Sequence, residues 1–463
     1  MPRSYQPDPR ILELGPGFYD PVEPAVFPKA IPRFLNQRWA ERVRLGNLND
    51  EAWRAHFCRF EPLPGNLTQP LALRYHGHQF RHYNPDIGDG RGFLFAQLRD
   101  GQNRLLDLAT KGSGTTPYSR TADGRLTLKG GVREALATEM LEALGVNTSK
   151  TFALFETGEE LVRGDEPSPT RSSVLTRLSH GHIRIGSFQR YAFFGEEENI
   201  ARLVDYCLAN LYGEQPSDDP AQNALRLFDR VSAATANLAA NYMAAGFVHG
   251  VLNSDNIAIT GESFDYGPWR FTPEWDAGFT AAYFDHHGLY AFGRQPEAIH
   301  WDLAQLAGCL TLVADAAPLS DRLAVWGERF GDALAGALVK RLGVAPAAPE
   351  TDRTLAAALV RALQSREATI DRIFVDWRGG RDPGAERYPS EPFRELAAAL
   401  RGRERPAAHP YWSDPEPCSM HIDEVEAIWA AIAERDDWGP FEAKIAAVRR
   451  MGEAIAADAP PVA

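Results

Sequence analysis

Cysteine is scarce in this 463-residue sequence, and the four cysteines lie far apart with no CxxC motif. That spacing excludes a disulfide framework and gives no zinc signature. It is typical of a protein from a reducing cytoplasm, in which free cysteines are ordinary buried or surface residues. The four are Cys58, Cys207, Cys309 and Cys418.

Long apolar runs and an excess of positive charge are also missing. No apolar run reaches the roughly eighteen residues of a transmembrane helix. The first six residues, MPRSYQ, lack the apolar segment of a secretory signal. The net charge of −13 argues against a general nucleic-acid binder. We therefore expect a cytoplasmic protein that binds neither membrane nor nucleic acid.

The apolar content of 44% is ample for a large core. Residues 1–60 are rich in proline and aromatic residues, which predicts extended, irregular structure packed on a neighbour. Residues 70–130 indicate strands separated by glycine-rich turns, and the alternation over 105–111 predicts one strand. A second short strand is expected at 174–178.

Helical periodicity begins at Val132, whose apolar stripe predicts a helix that stops at Gly145. A longer buried helix should run from about Ala224 to Gly246. Proline-rich residues 403–420 are expected to form a linker. Strands before helices is the layout of a two-lobed kinase, although many α+β proteins share it. Further helices are predicted at 301–315, 320–342, 353–374, 392–401, 422–436 and 439–457.

A glycine-rich segment, Gly88-Asp89-Gly90-Arg91-Gly92, is the first candidate site. Glycines let backbone amides approach phosphate closely, but Asp-Gly is also a strong hairpin-turn signal. No GxxxxGK[ST] motif is present, so a Walker P-loop is excluded.

Lys111 and Glu134 form a second candidate. A strand lysine followed by a helical glutamate is the kinase arrangement, in which the carboxylate holds the ammonium against phosphate oxygens. Arg177 and Arg184 lie near each other in sequence, and both could form bidentate hydrogen bonds with one anion. Taken alone, each pair is better explained as solvated surface charges.

The most specific motif follows the long helix. His249 and Asn256 keep the eight-residue frame of a kinase catalytic loop, HRDxxxxN, and Asp265-Tyr266-Gly267 stands where DFG is expected. The usual aspartate is replaced by Val251, and an aspartate occurs instead at Asp255. Asn256 and Asp265 supply the hard oxygen donors that Mg²⁺ prefers, so we expect a nucleotide–metal site.

Three histidines at positions 76, 78 and 82 suggest a metal site. No cysteine or carboxylate joins them nearby, so structural hydrogen bonding is the favoured interpretation.

Together these segments resemble the selenoprotein O family of protein adenylyltransferases, which have a pseudokinase-like fold. The resemblance is clear over about residues 70–310 and thin elsewhere. It is carried by YHGHQFRHYNPDIGDGR (75–91), DLATKGSGTTPYSRTADGR (107–125), VLTRLSHGHIRIG (174–186), GFVHGVLNSDNIAITGESFDYGPW (246–269) and residues 132–148, 285–295 and 301–310.

The resemblance implies an α+β, two-lobed protein-kinase-like fold. A strand-rich lobe at 66–178 and a helical lobe at 179–402 would be flanked by an extension at 1–65 and a divergent helical segment at 403–463. It also implies a monomer that transfers AMP from ATP to Ser, Thr or Tyr hydroxyls of protein substrates, with Mg²⁺ or Mn²⁺.

The resemblance further implies that ATP is bound reversed, so that its α-phosphate faces the acceptor. Asp255 would be the general base, and Asn256 and Asp265 would bind the metal. Lys111, positioned by Glu134, would bind phosphate, and Arg177 and Arg184 would hold the outer phosphates. The pocket would also be lined by Gly88, Gly90, Arg91, Asp123 and Gly124.

One feature of the family is missing. Many members carry a cysteine or selenocysteine motif near the C-terminus, whereas this chain has no cysteine after Cys418. Redox control of that type is therefore not expected. Three other functions stay open at this point: a kinase-type phosphotransferase, a nucleotide-binding pseudokinase scaffold, and a structural protein without a nucleotide site.

Overall fold

A computed structural model of the chain describes residues 5–164 and 166–458. The predictions drawn from the first six residues and from the end of the chain fall partly outside these ranges. The described part is a mixed α/β structure with one large antiparallel sheet and many helices. None of the helices in these ranges is both long enough and apolar enough to cross a membrane.

The large sheet has eight strands, in the order β1-β3-β6-β7-β10-β9-β2, with the short β8 paired to β10. A separate hairpin, β4–β5, and a two-stranded pair, β11–β12, complete the strands. The bounds are β1 Tyr19–Pro21, β2 Ile31–Leu35, β3 Leu71–Leu73, β4 Gly77–Gln79, β5 His82–Asn84, β6 Leu94–Arg99, β7 Leu105–Lys111, β8 Leu126–Thr127, β9 Lys150–Leu161, β10 Thr170–Ser179, β11 Phe247–Val248 and β12 Arg270–Phe271.

Fourteen α-helices are present in the described ranges. Their bounds are α1 Gln37–Arg42, α2 Asp50–Phe57, α3 Leu128–Ala143, α4 Ile185–Phe193, α5 Glu197–Tyr206, α6 Pro220–Ala245, α7 Gln295–Leu310, α8 Ala316–Ala324, α9 Trp326–Leu342, α10 Pro349–Gln364, α11 Ile370–Asp376, α12 Glu391–Leu400, α13 Ile422–Arg435 and α14 Gly439–Ala457.

The central strands are buried on both faces. Neighbouring residues on one strand, such as Val174 and Leu175 of β10, belong to different apolar clusters because successive side chains point to opposite sides of a sheet. On one face α3 packs so closely that a Cβ atom at Gly131 would lie 2.4 Å from Leu154. On the other face Trp53 of α2 packs on Phe152 of β9, with ring centroids 5.2 Å apart.

The long helix α6 begins and ends at clear sequence signals. Asp219 caps its first turn by accepting from Ala221 N and Gln222 N, and Pro220 occupies the first helical position. Gly246 ends it in the left-handed conformation, with φ of 68°. The chain then enters β11 and the loop that contains His249 and Asp255.

Most predicted elements are confirmed. The strand at 105–111 and the helix at 439–457 have the predicted bounds, and the strand at 174–178 is the centre of β10. Three predictions are wrong in part. Residues 1–60 are not irregular throughout, because they contain β1, β2, α1 and α2. Two single helices predicted at 320–342 and 353–374 are each two: α8 with α9, and α10 with α11.

Candidate functional site

A cavity of about 340 Å³ is the centre of the candidate site. Its wall is formed by the segment after the β4–β5 hairpin, the end of β7, the end of β10 and the loops after β11. Of the twelve predicted site residues, eight line it: Gly88, Gly90, Arg91, Lys111, Arg177, Arg184, Asp255 and Asp265.

Lys111 is held between two carboxylates. Its Nζ lies 2.7 Å from Glu134 Oε2 and 2.8 Å from Asp265 Oδ1. Glu134 stands on α3, just beneath the sheet, so the predicted strand–helix pair is present. The other oxygen, Glu134 Oε1, is buried without a hydrogen-bond partner. The Lys111 ammonium is thus held at the cavity wall by Glu134 of α3.

Asp265 projects into the cavity from a residue with φ of 61°. Aspartate is among the few residues that adopt this left-handed region readily. Burial alone would raise its pKa, but the charges of Lys111, Arg177 and Arg91 hold that pKa well below its usual value. About a third of the side chain, 33%, remains accessible. The carboxylate is therefore ionised and open to a ligand.

Arg177 and Arg184 are buried arginines that stack on aromatic rings. The guanidinium of Arg184 lies 4.1 Å from the ring centre of Tyr75, and both arginines face Phe264, at 5.3 Å for Arg177 and 4.9 Å for Arg184. Arg177 Nη1 and Arg184 Nε have no hydrogen-bond partner. Unpartnered buried donors are costly, so this pair is suited to an anion.

His182 orients Arg177. It accepts from Arg177 Nε at Nε2 over 3.0 Å, which leaves the ring proton on Nδ1, 3.2 Å from Asp107 Oδ2. Burial lowers the pKa of His182, so the ring stays neutral as this contact requires.

Asp255 occupies the short turn Ser254–Asn256 and is 8% exposed. Burial raises its pKa to about 7, opposed by Arg184 and assisted by Asp265. Its Oδ1 has no hydrogen-bond partner. Gly77 covers it so closely that a Cβ atom there would lie 2.9 Å from Oδ1. The group is a carboxylate able to accept a proton near neutral pH.

The glycine-rich segment needs its glycines for close packing. A Cβ atom at Gly88 would lie 2.4 Å from the Tyr118 ring, and one at Gly92 would lie 2.1 Å from Thr110 O. The segment does not connect two paired strands, because β5 pairs with β4 and not with β6. The hairpin-turn interpretation is therefore wrong.

Four predicted residues do not line the cavity. Glu134 acts through Lys111, as described, and Asn256 follows Asp255 directly. Asp123 is instead paired with Arg163, with its side chain 47% exposed. Gly124 packs on Gly114, where a Cβ atom would meet the Gly114 carbonyl at 2.2 Å. Asp123 and Gly124 thus belong to the outer part of the loop that borders the cavity.

Sequence reasoning missed several lining residues. Tyr75, Tyr118 and Arg120 line the cavity, together with Asp89 of the glycine-rich segment already singled out. Tyr75, Tyr118 and Arg120 all fall within the stretches 75–91 and 107–125 that carry the family resemblance, which was the available signal. In total five cationic and three acidic side chains line this cavity in a chain with a net charge of −13. The cationic set is Arg91, Lys111, Arg120, Arg177 and Arg184.

Two side-chain oxygen donors near the cavity are suited to bind a divalent cation. Asn256 Nδ2 donates to Val251 O at 2.9 Å, which leaves its carbonyl oxygen for a cation, and Asp265 supplies an ionised carboxylate. In the described residues no cluster of three or more His, Cys, Asp or Glu could hold a metal by itself. A cation bound by two protein oxygens must complete its shell with phosphate and water, as Mg²⁺ commonly does.

The three histidines of the 76–82 segment have structural partners or lie at the surface. His76 contacts Tyr83 Oη at 2.8 Å, and His78 contacts Gln189 Nε2 at 2.6 Å. His82 is exposed. The His78 contact joins the β4–β5 hairpin to α4, and the His76 contact joins β5 to the segment before β4.

A family model and several relatives match almost the whole chain, and their descriptions agree with one another. The family model described as protein adenylyltransferase SelO matches residues 3–399. A protein nucleotidyltransferase YdiU of Gloeobacter violaceus is 40% identical, covering 96% of this chain and 95% of the relative. Proteins of the same name are 39% identical in Synechococcus elongatus, covering 97% and 96%, and 35% identical in Cereibacter sphaeroides, covering 95% and 87%.

Proposed function

This chain belongs to the protein adenylyltransferase SelO family, and we propose that its cavity binds ATP with the α-phosphate directed towards Asp255. The chain is a protein nucleotidyltransferase, an enzyme that transfers AMP from ATP to other proteins. The proposal concerns which of its residues perform that transfer and with which cofactor.

The observation that carries the proposal is the pair of unpartnered guanidinium donors on Arg177 and Arg184. They lie in one cavity with Lys111, in a protein that is acidic as a whole. Each arginine has other hydrogen-bond partners, but a buried donor without one is costly, and a bound anion would satisfy both donors. Three converging cations match the charge of a polyphosphate chain rather than that of a single carboxylate.

The chemistry follows from these positions. The acceptor hydroxyl oxygen attacks the α-phosphorus, the bond from that phosphorus to the bridging oxygen breaks, and pyrophosphate leaves. Asp255 takes the hydroxyl proton, and Lys111, Arg177 and Arg184 stabilise the charge that develops on the leaving pyrophosphate. Asn256 and Asp265 would hold Mg²⁺ or Mn²⁺, which supplies further charge neutralisation when it is bound.

We also propose a kinase-like arrangement of two lobes, with residues 66–178 above the cavity and 179–402 below it. Support comes from the cavity wall, which joins strand residues such as Lys111 to the loop that carries Asp255. The protein is proposed to act in the cytoplasm as a monomer on Ser, Thr or Tyr hydroxyls.

The test uses ATP labelled separately at the α- and γ-phosphates, with Mg²⁺ or Mn²⁺ and a generic acceptor protein. We expect transfer of the α-label alone, and its loss in Asp265→Asn, which keeps the shape of the side chain but not its charge. An exposed carboxylate far from the site, Asp321 on α8, gives the control variant Asp321→Asn. Transfer of the γ-label would show a kinase, and ATP binding without transfer of either label would show a scaffold.

A further inference from the structure

Two aromatic side chains beside the site face the solvent. Tyr283 is 76% exposed and Phe284 is 41% exposed, and their ring centroids are 5.1 Å apart. Phe80, at the tip of the β4–β5 hairpin, packs on Phe284 at 5.8 Å. We call these three residues the aromatic shelf. Large exposed rings in a cluster mark interaction sites more often than isolated ones do.

The hairpin that carries Phe80 is bonded directly to the loop of Asp255. Phe80 N donates to Asn253 Oδ1 at 2.9 Å, and His78 N donates to Ser254 Oγ at 2.7 Å. Tyr290 supports the shelf from below, since its ring lies 5.0 Å from that of Phe80 and its hydroxyl donates to the same Asn253 oxygen at 2.7 Å. The shelf and Asp255 therefore share one rigid support.

The backbone at the hairpin tip is strained. Phe80 has φ of 49° and Arg81 has φ of 63°, so two consecutive side-chain-bearing residues adopt the left-handed region. A two-residue hairpin loop requires this conformation at both positions, and residues other than glycine adopt it at a cost of the order of a kcal/mol each. Here the strain places the Phe80 ring on the shelf while the preceding residue, Gln79, lines the cavity.

We propose that the aromatic shelf binds an apolar side chain of the protein substrate, a few residues from the acceptor hydroxyl. This proposal rests on the proposed function, because it needs an acceptor at Asp255. Gln79, the neighbour of Phe80 in the chain, lines the cavity, whereas none of the three shelf residues does, so we place the occupant in the acceptor and not in ATP.

The size of the shelf decides between possible occupants. Two exposed rings offer far less area than the roughly 800 Å² per partner of a stable protein interface. A second copy of this chain is therefore a poor occupant. One apolar side chain in an extended segment is of the right size, and the exposed ring faces of Tyr283 and Phe284 would cover it.

The experiment uses a degenerate peptide library with a fixed central Ser, Thr or Tyr, incubated with the full chain, ATP and Mn²⁺. Peptides that gain AMP are sequenced by mass spectrometry. Wild-type protein is expected to enrich Leu, Ile, Met or Phe several-fold at one fixed offset from the acceptor. The double variant Tyr283→Ser/Phe284→Ser should lose that enrichment and show at least a tenfold lower kcat/KM, with an unchanged Kd for ATP.

A matched control is available on the other side of the same hairpin. Phe193 and Phe194 are 56% and 53% exposed and pack on His76, outside the cavity lining. Phe193→Ser/Phe194→Ser removes the same amount of exposed aromatic surface and should keep the enrichment. Thermal unfolding of both double variants establishes that each is folded.

Each outcome distinguishes the two proposals. Peptides labelled without an apolar preference, or a preference that survives in Tyr283→Ser/Phe284→Ser, would overturn the shelf and leave the proposed function intact. If wild-type protein binds ATP but transfers no α-label to peptides or to whole proteins, the proposed function fails and the shelf proposal fails with it.

Discussion

Asp302 is a buried carboxyl group for which the reaction has no assigned use. It lies on α7 and is 1% exposed, and neither of its oxygens has a hydrogen-bond partner. Burial, and then the charge of Asp255, raises its pKa well above the usual value. The folded protein therefore keeps a proton on Asp302 at pH values where the unfolded chain has released it.

This retained proton gives stability a predictable pH dependence. Between the unfolded pKa, 3.8, and the raised folded pKa, the folded state binds more protons, so stability falls as pH rises. Asp302→Asn removes the ionisation and keeps the shape. In urea unfolding between pH 5 and pH 8, we expect the free energy of unfolding of the variant to rise relative to that of wild type. The rise should be at most about 1.4 kcal/mol per pH unit.

A surface carboxylate provides the control for that measurement. Asp321→Asn on the exposed face of α8 removes a carboxylate from the surface and is measured alongside. Parallel stability curves for Asp302→Asn and wild type would show that Asp302 is ionised in the folded protein, contrary to its raised pKa.

A second prediction at the residue scale concerns Arg184. Its planar group stacks on Tyr75 and donates to Asp255 O at 3.0 Å, and a lysine would keep the charge but lose both contacts. Arg184→Lys should weaken ATP binding about tenfold, or about 1.4 kcal/mol, in calorimetric titration. Arg226→Lys on α6, outside the cavity, is the matched exchange and should bind ATP as wild type does. Equal affinities for both variants would show that charge alone matters at Arg184.

At the scale of single elements, the approach of β6 to β7 depends on Gly92. A Cβ atom there would lie 2.1 Å from the backbone oxygen of Thr110, which cannot move without displacing β7 and Lys111. Gly92→Ala should lower the free energy of unfolding by about 1–3 kcal/mol and weaken ATP binding. At Gly101, in the turn between the same strands, a Cβ atom would meet nothing within 4 Å. Gly101→Ala should therefore change neither the free energy of unfolding nor the ATP affinity appreciably. Identical thermal unfolding of Gly92→Ala and Gly101→Ala would contradict the steric argument.

Elements with clear local signals were predictable from the sequence. Other elements were missed because the composition of the surrounding residues suggested a different structure. The prolines that suggested irregular structure at 1–60 all precede Asn36, which caps α1 by accepting from Trp39 N. The break within 353–374 occurs where Thr369 caps α11 by accepting from Arg372 N, a signal hidden in a uniformly helical composition.

Asp255 departs from the kinase frame and was identified through the family resemblance, but the placement of Lys111 and Asp265 at the cavity was predictable from residue type in a fixed frame. Contacts between distant segments were not. The stacking of Arg184 on Tyr75 and the burial of Asp302 near Asp255 depend on how separate elements pack. Asp123 fits its sequence pattern equally well, yet it is paired with Arg163 outside the cavity wall.

At the scale of the whole molecule, the C-terminal helices support the helix beneath the site. Arg449 of α14 forms two hydrogen bonds with Glu139 of α3, at 2.7 and 3.0 Å. Lys129 at the start of α3 pairs with Glu426 of α13 at 2.7 Å. Since α3 also carries Glu134, helices beyond the end of the family-model match at residue 399 are packed behind the Lys111–Glu134 pair. The predicted linker before them is packed as well, because Tyr411 and Trp412 are buried.

The contact between α14 and α3 allows a test of this support. Gly452 lies so close to α3 that a Cβ atom would be 3.2 Å from Ala143 Cα, so the larger side chain of Gly452→Leu must push the two helices apart. Leucine is favoured over glycine in a helix by up to about 1 kcal/mol, so any loss of stability comes from the displaced contact. We expect a Tm several degrees below wild type and weaker ATP binding, because displacing α3 moves Glu134 away from Lys111. Gly336→Leu on the exposed face of α9, where a Cβ atom meets nothing within 4 Å, should instead be neutral or slightly stabilising. If Gly452→Leu lowers Tm but leaves ATP affinity unchanged, α14 stabilises the fold without positioning the site, and its contact with α3 has no part in nucleotide binding.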